Sequence, residues 1–205
     1  MPKQIRVNGF AIYSPVHLSP GLWRHPESRA LEFNRLGYWQ DVARILERGL
    51  FDALFIADDG DSVVGVADAL TAAGANLKNI QLLGTGLWDN PRVFASPNLQ
   101  GGLYAAPDPA GFRAFAGRYR AKYAGEPVRT ATLAYDAVAL VAALARTQGP
   151  QRFAPDVLTN VSGFAGIDGL FRFRPDGTNE RGLAVMRVAA GGGQPVAGSP
   201  KSFGA

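Results

Sequence analysis

Three carboxylates crowd into Asp58-Asp59-Gly60-Asp61, directly after the apolar, β-prone segment Phe51 to Ala57. Carboxylates at such a place can hold an ammonium group or another cation. The same residue types also form a tight turn and cap a helix beginning at Ser62-Val63, and both readings of Asp59 and Asp61 stand. A second β-prone run, ending near Gly84, leads into Gly86-Leu87-Trp88. Trp88 either stacks on a ligand or fills a core or rim. Tyr135 reads as a core or hinge tyrosine. The two histidines, His17 and His25, are candidate bases or loop residues bonding locally. With no cysteine, disulfides and thiolate metal sites are excluded, and two histidines are too few to expect a His-based metal centre. No nucleophile–base pair, P-loop or dinucleotide fingerprint is present. The residues favour binding over catalysis, with no catalytic residue, no metal and no cofactor assigned.

These residues need elements to position them. Ile5 to Tyr13 reads as a buried strand and is followed by a Pro-rich loop, 14–27. Leu36, Trp39, Val42, Ala43, Leu46 and Leu50 recur at helical steps, with Gly49 where a C-cap belongs. Val63, Val66, Ala67, Leu70 and Ala73 predict a second amphipathic helix ending at Gly74. Ile80–Gly84 reads as a strand and 101–105 as a further short one. Phe112, Phe115, Tyr119 and Tyr123 mark one later helix. Leu133, Ala137, Leu140, Val141 and Leu144 mark another, long and apolar. Residues 149–163 read as a connector. Leu170–Arg174 and Leu183–Val188 read as strands flanking the Pro175-Asp176-Gly177 turn, and the residues from Gly191 onward as a flexible tail. The alternation predicts an α/β fold: a mostly parallel sheet flanked by helices.

A chain of 205 residues can bury a real core in one or two domains. Its net charge of +4 is spread along the chain, and no recognised motif accompanies it, so nucleic-acid binding is not expected. No apolar run approaches the ~20 residues that span a bilayer. The opening Met1-Pro2-Lys3-Gln4-Ile5-Arg6-Val7 has no apolar signal-peptide region, which predicts a cytoplasmic location for the chain as written.

Two families are discernible. Val7-Asn8, His17, Ser19-Pro20-Gly21-Leu22-Trp23-Arg24-His25-Pro26, Tyr38-Trp39 and Leu46-Glu47-Arg48-Gly49-Leu50-Phe51-Asp52 resemble the start of luciferase-like flavin monooxygenases, in the nitrilotriacetate and dibenzothiophene-sulfone monooxygenase branch. That resemblance covers residues 4–58. It implies the first strand, first helix and second strand of a (β/α)8 barrel that uses reduced FMN and O2. Flavin contacts in such barrels come from the carboxyl ends of several strands, and only Asp58 can be matched to one.

Residues 52–190 resemble the later part of type I periplasmic solute-binding proteins, the leucine-binding-like family of ABC transporters, whose relatives include penicillin-binding-protein activators. The carrying residues are Asp52 to Asp58, Ala69-Leu70-Thr71-Ala72-Ala73-Gly74, Leu82 to Trp88, Tyr135-Asp136-Ala137-Val138, and Gly163 to Phe173 with Asp176-Gly177. The implied architecture is two α/β lobes closing on a small ligand. Residues 52–100 and the last strand would form the second lobe, and 103–165 part of a first lobe whose sheet is incomplete. The segment 1–58 would then graft a barrel βα unit onto that second lobe, so that one parallel sheet draws on both fragments.

In such a fold the ligand lies at the carboxyl ends of the strands. The resemblance therefore places Asp59, Gly60, Asp61, Gly86, Leu87 and Trp88 near it. The function implied is small-molecule binding, with amino acids, amides and aromatic acids all open, or a module left inactive because half the cleft is missing. The alternatives are an FMN-dependent monooxygenase fragment, with Asp58 as a flavin contact, and a folded chimera with no small-molecule function. The family is periplasmic. The helices near 110–123 and 130–146 would lack their usual partner, so their apolar faces predict repacking, self-association or poor order.

Overall fold

In the computed structural model, residues 6–11, 24–49 and 51–203 are described. His17, residues 14–23 of the Pro-rich loop and both ends of the strand read at Ile5–Tyr13 lie outside them. The chain forms β1 (Asn8–Ala11), α1 (Leu36–Arg48), β2 (Ala53–Ile56), α2 (Gly60–Ala72), β3 (Gln81–Gly84), α3 (Pro91–Ala95) and β4 (Leu103–Ala106). It continues through α4 (Pro109–Tyr123), α5 (Ala131–Thr147), α6 (Pro155–Leu158), β5 (Phe164–Gly166), β6 (Gly169–Phe173), β7 (Asn179–Arg181), β8 (Ala184–Ala189) and β9 (Gly192–Ala197). Two compact units result: Met1–Ala106 with Met186–Gln194, and Pro107–Val185 with Pro195–Ala205.

The first unit is built on a sheet ordered β1-β2-β3-β4-β8-β9. Strands β1 to β4 are parallel, with Asn8 opposite Ala53, Ile56 opposite Gly84, and Gly84 opposite Tyr104. The sheet thus joins the strand of the monooxygenase-like segment to those of the binding-protein-like region. Helix α1 turns Trp39, Ala43 and Leu46 inward at i, i+4 and i+7, and the Trp39 indole N–H donates to the Phe33 carbonyl at 2.7 Å. Gly49 closes the helix with its N–H on the Ile45 carbonyl. Helix α2 buries Val63, Val66, Ala67 and Leu70. Burying these side chains contributes roughly 1.5–3 kcal/mol for each larger one. Asp52 ties the edge strand in: its carboxylate accepts from the Val7 N–H and the Arg6 guanidinium, both at 2.9 Å.

Of the residues read from sequence as a tail, Gly192–Ala197 instead form β9 at the sheet edge. Pro195 within it has no N–H to offer a neighbour, and an edge position tolerates that loss.

The second unit holds a small antiparallel sheet, β5-β6-β7. The Pro175-Asp176-Gly177 turn joins β6 to β7, not to the 184–189 strand as the sequence suggested. The Asp176 carboxylate accepts the Thr178 N–H at 2.9 Å, and Gly177 takes φ +83. A buried polar joint ties this sheet to α5. Asp168 accepts from Thr132 Oγ1 at 2.6 Å and from Arg129 at 2.9 Å, while Asp136 accepts the Ile167 N–H at 2.8 Å. Asp136 Oδ2 lies so close to Gly166 that an added Cβ there would overlap it. Position 166 is therefore glycine because a carboxylate occupies the space.

Helix α5 departs from its sequence reading. Its buried residues are Thr132, Asp136 and Leu144, whereas Leu133 and Val141 of the expected apolar face are exposed. Tyr135 is half exposed and meets Phe115 of α4 edge-on at 5.4 Å. The polar joint, not the apolar stripe, decides which side of α5 faces in.

Candidate functional site

Because β2 and β3 run parallel in register, their carboxyl ends lie at one edge of the first unit's sheet. Asp59 to Asp61 follow β2 there, and Gly86 to Trp88 follow β3. Asp59 is the N-cap of α2. Its side chain accepts the N–H groups of Asp61 and Ser62 at 3.2 and 2.9 Å. These backbone bonds, that to Ser62 foremost, hold its carboxyl below the usual carboxylate range. Capping thus occupies one carboxylate oxygen of Asp59. Gly60 is buried, and a Cβ there would stand 2.6 Å from the Asn90 amide. Asn90 in turn caps α3, accepting the Arg92 N–H at 2.9 Å. Asp61 is exposed and pairs with Arg92 at 2.8 Å.

Beyond β3, the Thr85 hydroxyl accepts the Leu87 N–H, which starts one turn of 3-10 helix over Gly86–Trp88. That turn points its residues in opposite directions. Leu87 is 59% exposed, whereas Trp88 is 0% exposed. A Cβ on Gly84 would overlap the Trp88 ring, and one on Gly102 would stand 2.9 Å from it. Trp88 is a core residue and presents no face to solvent, so the stacking role considered for it has no surface on which to act. The indole N–H has no partner among the described residues.

Five of the six residues expected at this edge are thus brought together around it, and Trp88 supports them from below. Sequence reasoning missed Asn90 and Arg92. An Asn-Pro step opening a short helix is a turn signal, but nothing local says that Arg92 reaches Asp61. The edge exposes Arg92 and Leu87 together with the carboxylates of Asp59, Asp61 and Asp89. Asp58, the residue matched to a flavin contact, is half-buried just before this turn. His25 is exposed and accepts the Glu27 N–H through Nδ1 at 3.2 Å, a local loop bond. Among the described residues, no group of three or more His, Cys, Asp or Glu is placed to hold a metal ion. No helix of the described residues is long and apolar enough to cross a membrane.

A groove of about 780 Å³ opens at the opposite, amino-terminal edge of the same sheet, beside Arg6, Asp52, Lys78 and Gln81. Its polar groups largely answer one another. Arg6 pairs with Asp52, and the Gln81 amide donates to the Leu82 and Gly101 carbonyls.

The parallel strands, with loops at their carboxyl ends, define an open α/β class. The family described as "Periplasmic binding protein" matches residues 40–194, and the chain belongs to that family. Among solved structures, it is similar to a putative branched-chain amino acid ABC transporter from Rhodospirillum rubrum, with a TM-score of 0.66 and 20% identity over 93% of this chain. It is also similar to an ABC transporter substrate-binding protein from Desulfitobacterium hafniense in complex with Leu, with a TM-score of 0.59 and 16% identity over 93% of this chain. The chain spans 60% of the length of each. A stretch of 68 residues, 33% of this chain, is 46% identical to a long-chain alkane monooxygenase from Geobacillus thermodenitrificans, of which it spans 14%. The chain therefore combines a short monooxygenase-like segment with a periplasmic-binding-protein fold.

Proposed function

We propose that the chain is a small-molecule binding module that takes a zwitterionic, aliphatic amino acid at the carboxyl edge of β2 and β3. The observation that carries this reading is the exposed Asp61–Arg92 pair beside exposed Leu87. Arg92 matches a carboxylate, Asp61 an ammonium group, and Leu87 an apolar side chain. Asp59 and Gly60 hold the loop in place through the cap and the close approach of Asn90. The solved relative bound to Leu supports the ligand class.

In this reading the monooxygenase-like segment is scaffold. It contributes β1 and α1 to the sheet that sets the edge, and no flavin or other cofactor takes part. A module with one side of a cleft binds weakly, on the order of 0.1–1 mM, equivalent to roughly −4 to −5.5 kcal/mol. Thermal melts with a panel of amino acids, benzoate and FMN test it. Leucine or isoleucine should raise the melting temperature, because a ligand stabilises the state that binds it. A rise with FMN alone would replace this reading with a flavin-binding one, and a melt that no ligand moves would leave a fold without a site.

A further inference from the structure

We propose that the exposed face of α5 is a self-association surface, on which a second copy of this chain docks α5 antiparallel to α5 about a two-fold axis.

Helix α5 carries apolar residues on nearly all sides, a pattern that belongs to helices covered all round. Only Thr132, Asp136 and Leu144 are buried. Ala134, Ala137, Val138, Val141, Ala142 and Ala145 are exposed, Val138 at 70%. Ala134, Val138, Val141 and Ala145 follow one another at steps of four, three and four, which sets them in a single seam. Alanine and valine let helix axes approach closely, to about 8 Å.

The order of residues in the seam selects the occupant. With Ala137 and Ala142 flanking it, the seam reads Ala-Ala-Val-Val-Ala-Ala and is the same from either end, with its midpoint between Ala139 and Leu140. A two-fold contact requires that residue i meet j and j meet i. With the axis at this midpoint, Val138 meets Val141 of the second copy, Ala137 meets Ala142, and Ala134 meets Ala145. At the ends, Leu133 meets the aliphatic stem of Arg146. Apart from Asp136, which faces in, Arg146 is the only charged residue of the helix, so no like charges oppose one another. Antiparallel packing also opposes the helix dipoles favourably.

The area is adequate. Seventeen residues make a helix about 25 Å long, whose exposed half covers on the order of 500–700 Å² of accessible surface per copy. A specific interface needs about 600–1,000 Å² per partner.

Sedimentation velocity over a wide concentration range should show a monomer–dimer equilibrium. Val138→Glu and Val141→Glu should each raise the dimer dissociation constant at least about tenfold, because both copies then carry a carboxylate into the seam. Both sites are exposed, so circular dichroism should be unchanged. The geometry has its own test, because the chain has no native cysteine. A mixture of the single variants Ala134→Cys and Ala145→Cys should oxidise to a mixed dimer, and Ala134→Cys alone should not cross-link. A monomer at every concentration would overturn the proposal, as would a dimer indifferent to both glutamates or self-linking by Ala134→Cys. None of these readouts depends on ligand binding, so the surface and the binding site fail or stand separately.

Discussion

Replacing Gly84 by alanine tests whether Trp88 supports the candidate site. The new Cβ would overlap Trp88 Cδ2 and Cε2 and stand 2.5 Å from Nε1, far inside ordinary contact. Trp88 cannot simply back away. It is fully buried, and its far edge lies against Gly102, where an added Cβ would already stand 2.9 Å from the ring. Overpacking of a tight core costs about 1–3 kcal/mol. For a unit near a hundred residues that corresponds to a fall of about 4–20 °C in melting temperature. A displaced Trp88 also moves the turn that carries Gly86 and Leu87, so leucine binding should weaken with it. The assay is a pair of melts and titrations on Gly84→Ala, Trp88→Leu and the double variant. Trimming the ring makes room for the methyl group, so the double variant should lose less than the sum of the two single losses, with a coupling of at least about 1 kcal/mol. A Gly84→Ala protein that melts like the parent, or strictly additive losses, would refute the packing argument.

Further outcomes follow from other joints. Asp52 is held below the usual carboxylate range, first by the Val7 N–H and then by Arg6. Its contribution is therefore complete above the ordinary pKa of about 3.9 and lost as the pH falls below it; melts against pH should show Asp52→Asn flattening that acid loss. Burial raises the Tyr104 phenol pKa, and its hydroxyl has no partner among the described residues. Tyr104→Phe should therefore be neutral or stabilising by up to about 1–2 kcal/mol in urea unfolding at neutral pH. Asp168→Ala should cost about 1.5–3 kcal/mol in the same assay, because Thr132 and Arg129 lose a buried, charged acceptor.

The parts of the fold that repeat a local period were legible in the sequence. The α1 stripe with Gly49, the α2 stripe and the β-prone runs before Asp58 and Gly86 all carry their signals within a few residues. The strand at 192–197 was not legible. Its Gly-Gly-Gln-Pro composition has little β-propensity, and it forms because an edge of the sheet is available beside it. The orientation of α5 was hidden for a related reason. Asp136 and Thr132 look like interruptions of an apolar helix, yet they face in because Ile167 and Asp168, some thirty residues on, supply their partners. At the candidate site, the resemblance placed Asp59, Gly60, Asp61, Gly86 and Leu87 on one edge. It could not say that Trp88 turns under the sheet's edge, or that Arg92 reaches Asp61, because both depend on how neighbouring strands pack.

The central claim is that an amino acid is held between Arg92 and Asp61 beside Leu87. Isothermal titration calorimetry of the whole chain with L-leucine, repeated on Arg92→Ala, tests it most directly. Arg92 is exposed and caps no helix, so its removal should leave the melt unchanged. Saturable binding at a one-to-one ratio in the parent, weakened at least about tenfold in the variant, is the predicted result, since one charge-assisted contact contributes about 1.5–3 kcal/mol. Binding that survives unchanged in Arg92→Ala, or no heat from leucine at millimolar concentration, would contradict it.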